Sequence, residues 1–158
     1  MNKIISNSPE QTQQLAAKMA ALFKGGEIVF LRGPIGAGKT IFVKSLAASL
    51  GLKGSPVSAS FSIMKEYKGK GKKLYHVDLF RLDECEIFNL GFEEMLEDEK
   101  AVIVIEWPDA IENVLRSSRI DITFTLMEGD GRELSFTALG KPSQELINNF
   151  FESVNNAK

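Results

Sequence analysis

Apolar residues recur three and four apart from Pro9 to Lys24, at Leu15, Ala16, Met19, Ala20, Leu22 and Phe23, and Ser8 before Pro9 is a helix-start signal. The pattern predicts a helix ended by Gly25-Gly26. Glu27 to Arg32 reads as a short apolar strand, a glycine-rich turn follows, and Lys39 to Leu50 reads as a helix closed by Gly51. After Pro56, two β-like stretches, Phe61 to Tyr67 and Lys73 to Phe80, are joined by the Lys/Gly-rich Lys68 to Lys72, which suits a hairpin. Asp83 to Glu99 is acidic and predicts a helix in two pieces broken near Gly91. The continuous apolar run Ala101 to Ile105 predicts a strand buried on both faces, and Pro108 to Arg116 a short helix.

Arg119 to Met127 alternates polar and apolar residues, as does Glu133 to Leu139 beyond Gly129-Asp130-Gly131, which predicts a second hairpin. Leu146, Ile147, Phe150, Phe151 and Val154 give Pro142 to Val154 one apolar helical face. Strands alternating with helices, plus hairpins, predict an α/β protein with a mixed central sheet flanked by helices. No internal repeat or long linker divides the chain, so one domain over residues 1–158 is expected.

Composition removes several classes. With 44% hydrophobic and 25% charged residues the chain is neither disordered nor membrane-like, and its longest apolar runs fall far short of the roughly 20 residues that span a bilayer. Met1 to Glu10 lacks the apolar stretch of a signal peptide, so a cytoplasmic location is expected. One cysteine and one histidine cannot make an internal disulfide or a structural zinc cluster, and Cys85 is read as an inert thiol. A net charge of -2 disfavours unaided binding of RNA. Lys65, Lys68, Lys70, Lys72 and Lys73 are read as a solvated hairpin, with a tRNA-contacting patch in a larger assembly as the alternative.

The chemistry lies in Gly33-Pro34-Ile35-Gly36-Ala37-Gly38-Lys39-Thr40, which fits G-x-x-x-x-G-K-S/T and stands between a predicted strand and a predicted helix. Glycines let such a loop wrap so that successive N–H groups face phosphate oxygens, and the helix adds its positive end. Lys39 is assigned to the β- and γ-phosphates and Thr40 to magnesium. Pro34 has no N–H but precedes the residues expected to cradle phosphate. A nucleotide hydrolase also needs an acid at a strand end, for the magnesium shell or the attacking water, and Asp78 and Glu106 both end predicted strands. Trp107, the sole tryptophan, is either core or a lid near the nucleotide. His76 shares a strand face with Asp78 and is read as a hydrogen-bonded structural histidine.

Arg32, Arg81, Arg116, Arg119 and Arg132 are spread along the chain and are expected not to cluster, which counts against a small-molecule kinase with an arginine-rich lid. No Asn/Thr-Lys-x-Asp guanine-reading motif follows the loop, so ATP is preferred to GTP. A nucleotide-gated interaction module with negligible turnover stays open as a third reading.

The loop, then Ser58-Ala59-Ser60-Phe61, His76-Val77-Asp78-Leu79-Phe80-Arg81-Leu82 and Ile105-Glu106-Trp107 resemble in order and spacing the bacterial TsaE (YjeE) family, small ATPases needed to make threonylcarbamoyladenosine on tRNA. The resemblance implies a three-layer P-loop NTPase-like fold, ATP and Mg2+ as ligands, and TsaD and TsaB as partners, with tRNA reached only through the complex. It implies that Asp78 supports the magnesium, that Glu106 activates water or joins the metal shell, and that Trp107 lies beside the nucleotide. Ser60 matches a family threonine that senses the γ-phosphate. Two positions depart from the family pattern: Ala59 replaces a proline, and Ile41 replaces a threonine that would touch the α-phosphate, so nucleotide binding is expected to be retuned rather than lost.

Overall fold

The computed structural model describes residues 2–56, 64–80, 82–89, 91–115 and 118–157. Its strands are β1 (Asn2–Ser6), β2 (Ile28–Arg32), β3 (Lys53–Pro56), β4 (Met64–Gly69), β5 (Lys72–Asp78), β6 (Ala101–Glu106), β7 (Arg119–Leu126) and β8 (Arg132–Leu139). They form one mixed sheet in the order β1-β8-β7-β2-β6-β5-β4-β3. β2 pairs in parallel with β6 and β7, and β6 with β5, while antiparallel pairs extend both flanks. The helices are α1 (Pro9–Ala20), α2 (Lys39–Ser49), α3 (Glu84–Phe88), α4 (Phe92–Glu97) and α5 (Lys141–Asn155), and a 3₁₀ turn covers Pro108–Ile111.

The period of the central strands sorts their side chains onto two cores. Val29 and Leu31 of β2, and Val102 and Val104 of β6, face α1, α2 and α5, whereas Ile28, Phe30, Ile103 and Ile105 face the side of α3, α4 and the 3₁₀ turn. All six residues of β6 are buried, as a strand covered on both faces must be. By the same alternation Glu106 falls on the α2 face with Val102 and Val104, and His76 and Asp78 fall there with Leu74 of β5.

Ser8 caps α1 by accepting from the Gln11 N–H, as the sequence predicts. The helix nevertheless ends at Ala20 rather than Lys24, because the Leu22 and Phe23 amides turn back to the Met19 and Ala20 carbonyls in the tighter i to i+3 pattern. The β4–β5 hairpin also closes more sharply than Lys68 to Lys72 implied: Gly69 pairs with Lys72, and only Lys70-Gly71 form the turn. Along this hairpin Lys68 meets Glu66 and Lys73 meets Asp98 at 3.3 and 3.2 Å, and Lys72 donates to the Phe23 carbonyl. β1 and β3 go beyond the elements that the apolar pattern predicts. They are the two edge strands, each with one neighbour, and their backbone pairing with β8 and β4 needs no apolar alternation in Asn2–Ser6 or Lys53–Pro56.

Candidate functional site

β2 delivers the chain to the glycine-rich loop, and the sheet decides where glycine is required. At Gly33 the backbone has φ 133° and a Cβ would sit 2.5 Å from the Phe124 carbonyl of β7, so only glycine lets the loop leave the strand so close to its neighbour. Gly38, at φ 100°, ends the loop and precedes α2 with no side-chain cap, which leaves the positive end of that helix facing the loop. Ala37 shapes the loop from within, being buried and donating its N–H to the Pro34 carbonyl at 3.2 Å. From β8, Arg132 Nε donates to the Ala37 carbonyl at 2.7 Å, and its NH1 to the Asp130 carbonyl at 2.8 Å. This brace links positions 95 residues apart and has no local signature in the sequence.

Lys39, Thr40, Asp78, Glu106 and Trp107 come together around one cleft of about 430 Å³, lined also by Ile35, Gly36, Ala37, Gly38, Ile41 and Phe80. Gly33 and Pro34 do not line it; they hold Lys39 instead, whose Nζ donates to both of their carbonyls, at 3.0 Å for Pro34. The Lys39 ammonium lies 4.5 Å from the centre of the Trp107 ring, a cation–π contact. Burial pushes the Lys39 pKa down, and the negative charges of Glu106 and Asp78 offset part of that push. A hollow of about 490 Å³ at the opposite end of β2, beside Gly25-Gly26 and the start of α5, lacks this convergence: the Glu27 carboxylate there is spent on the amides of Lys24 and Gly25.

The two acids stand side by side because β5 and β6 are parallel and in register, Asp78 beside Glu106. Asp78 Oδ1 accepts from the Phe80 N–H at 3.0 Å, which folds the chain back at the strand end. Glu106 is buried, and its Oε1 lies 3.1 Å from His76 Nε2. His76 is thus hydrogen-bonded as expected, but its partner is the very acid singled out for chemistry, a pairing that only the β5–β6 register reveals. Among the described residues no three His, Cys, Asp or Glu side chains form a group able to hold a metal by themselves. The donors that do converge are a hydroxyl and two carboxylates, hard oxygens of the kind that hold magnesium together with substrate phosphates rather than in an all-protein cage.

Trp107 is the one non-glycine with positive φ among the described residues, at 56°. That left-handed turn costs energy and persists only where its surroundings fix it. The Trp107 N–H donates to the Leu31 carbonyl at 3.3 Å, and its ring lies 5.0 Å from that of Phe80. Two residues on, Asp109 meets Arg32 NH1 at 2.7 Å; Arg32 NH2 also reaches Glu112 and Asp121, at 2.9 and 3.3 Å. Arg119 shares Glu112 and Asp121, at 3.1 and 3.0 Å, and both guanidinium groups lie over the Phe30 ring. Burial works against the Arg32 charge, but Glu112 and Asp121 outweigh it and hold its pKa above the usual value. The expectation that the arginines would not cluster is therefore corrected for Arg32 and Arg119, which the fold joins through shared carboxylates although the sequence separates them. Ser60, Arg81 and Arg116 lie outside the described residues.

Comparison with known proteins identifies the family of the chain. The family model described as threonylcarbamoyl adenosine biosynthesis protein TsaE matches residues 6–134. The chain is 38% identical over 133 residues to the tRNA threonylcarbamoyladenosine biosynthesis protein TsaE of Bacillus subtilis (strain 168), covering 84% of this chain and 83% of that one. It is 35% identical over 111 residues to the protein of the same name from Aquifex aeolicus (strain VF5), covering 69% and 78%. The crystal structure of Bacillus subtilis YdiB is similar with a TM-score of 0.80 at 33% identity, covering 96% of this chain and 95% of that chain. Among the described residues no helix is long and apolar enough to cross a membrane. The family model over residues 6–134 and a relative 38% identical over most of both chains show that this chain belongs to the TsaE family.

Proposed function

We propose that this chain is a magnesium-dependent ATPase of P-loop NTPase-like fold that serves threonylcarbamoyladenosine modification of tRNA. The observation that carries the reading is the convergence of Lys39, Thr40, Asp78 and Glu106 on one cleft at the carboxyl ends of parallel strands. The first-turn amides of α2 and the Lys39 ammonium bind the β- and γ-phosphates, and Lys39 gives up its loop carbonyls for them. Thr40 and Asp78 would offer oxygens to a magnesium ion, which when bound would neutralise phosphate charge. Glu106 orients the attacking water or completes the metal shell. Trp107 closes the cleft over Lys39. Both clustered arginines are committed to carboxylates and Arg132 to the loop, so none of the three is poised as a kinase lid.

Turnover at this site resets a complex with TsaD and TsaB after each modification, and tRNA is reached through those partners. A partner can drive such a cycle only by favouring one nucleotide state over the other. ATP turnover measured with and without TsaD and TsaB tests the reading: a several-fold rise is expected, about 1 kcal/mol of barrier or more, together with loss of threonylcarbamoyladenosine from the tRNA of depleted cells. Unchanged turnover with normal tRNA modification would overturn it.

A further inference from the structure

Behind the acid pair stands the only histidine of the chain. His76 is 8% exposed and Glu106 4%, and 3.1 Å separates His76 Nε2 from Glu106 Oε1. Glu106 lines the cleft, and His76 is not among the residues that do. A buried imidazole and a buried carboxylate each lose their water and each need a partner, which this contact supplies. Stability gives no reason for the pair: an apolar residue such as Leu74, two positions earlier on the same face of β5, fills a buried site without that cost.

The geometry offers a different reason. Glu106 sits close enough to Lys39 to act on its charge, and a mobile carboxylate would swing to the ammonium and occupy the group that phosphate needs. No ion pair joins Lys39 to an acid among the described residues. We propose that His76 is a positioning residue: its Nε2–H donates to Glu106 Oε1, holds that carboxylate off Lys39 and leaves its second oxygen to the cleft. Such a group must be kept within about 0.5 Å of its working place, and a bond from behind the site does so without entering it. What the cleft binds rests on the function proposed above; the His76–Glu106 anchor itself does not.

The single histidine makes the anchor directly visible. In nucleotide-free protein labelled with nitrogen-15 at histidine, one exchange-protected Nε2–H signal is expected, and Glu106→Ala should abolish it. In hydrolysis assays His76→Leu should lower kcat about 10- to 100-fold, the usual loss when a supporting partner is removed, while the ATP dissociation constant should rise by less, about two- to fivefold, as the freed carboxylate competes with phosphate for Lys39. His76→Gln, whose amide nitrogen can reach the same oxygen, should recover most of the rate. In a Glu106→Gln background His76→Leu should add no further loss, since the two act as one unit. An absent Nε2–H signal, one that survives Glu106→Ala, or equal losses of rate and affinity in the Leu and Gln variants would overturn the proposal. Should wild-type protein fail to bind ATP, the function assigned to the cleft falls while the Nε2–H signal still reports the anchor.

Discussion

The cleft has two walls, and they are held by different forces. On the loop side, α2 buries Phe42, Val43, Leu46 and Ala47 in the larger core, which takes 23 of the described residues. The Phe42 ring meets Phe124 edge-on at 5.7 Å, and the Phe124 carbonyl is what a side chain at position 33 would strike, so apolar packing sets the loop's position. On the Trp107 side the elements are short, five residues in α3, six in α4 and four in the 3₁₀ turn, over a core of 11 described residues. There the turn after Glu106 is tied down by the Arg32–Asp109–Glu112–Asp121–Arg119 network. Dispersion and burial resist salt, whereas partly exposed ion pairs do not, so the phosphate-holding wall should be stiff and the wall carrying Trp107 adjustable.

Phe42→Ala should cost about 3 to 5 kcal/mol in chemical denaturation, because the packed α1–α2 layer cannot collapse into the gap. Met95→Ala in the smaller core should cost less, about 2 to 3 kcal/mol, since a short helix can settle over it. The reverse order would remove the distinction between the walls. Arg32→Ala leaves three carboxylates short of a partner and should cost about 1 to 3 kcal/mol. It should also shift the emission of Trp107 to the red in nucleotide-free protein, and about 1 M salt should move the wild type part of the way. An unmoved spectrum would mean that the network does not hold the Trp107 turn. Asp109→Ala is the mildest cut, below about 1 kcal/mol, as that carboxylate is 76% exposed.

The same contrast explains what could be read before the fold was known. The loop, α2 and the two acids were legible because each sits where an apolar run stops, and a parallel sheet brings the ends of such runs together. The capped start of α1 and the break at Gly91 were legible for local reasons as well, a Ser before Pro and a glycine at φ 72°. Edge strands β1 and β3 carry little signature, because at five and four residues each is too short for an alternation to stand out, even though Ile4 of β1 packs against the larger core. The pairings that finish the site were hidden for another reason. His76 with Glu106, Arg132 with Ala37 and Arg32 with Arg119 each depend on which strands become neighbours and in what register, and no local pattern encodes that.

Binding of a nucleoside triphosphate in the cleft through Lys39 can be measured by calorimetric titration with ATP and magnesium, without waiting for turnover. Wild-type protein should saturate at one site, and Lys39→Ala should bind at least about 100-fold more weakly, the loss of a charge-assisted contact worth roughly 3 kcal/mol. Equal dissociation constants for the two proteins would contradict the account.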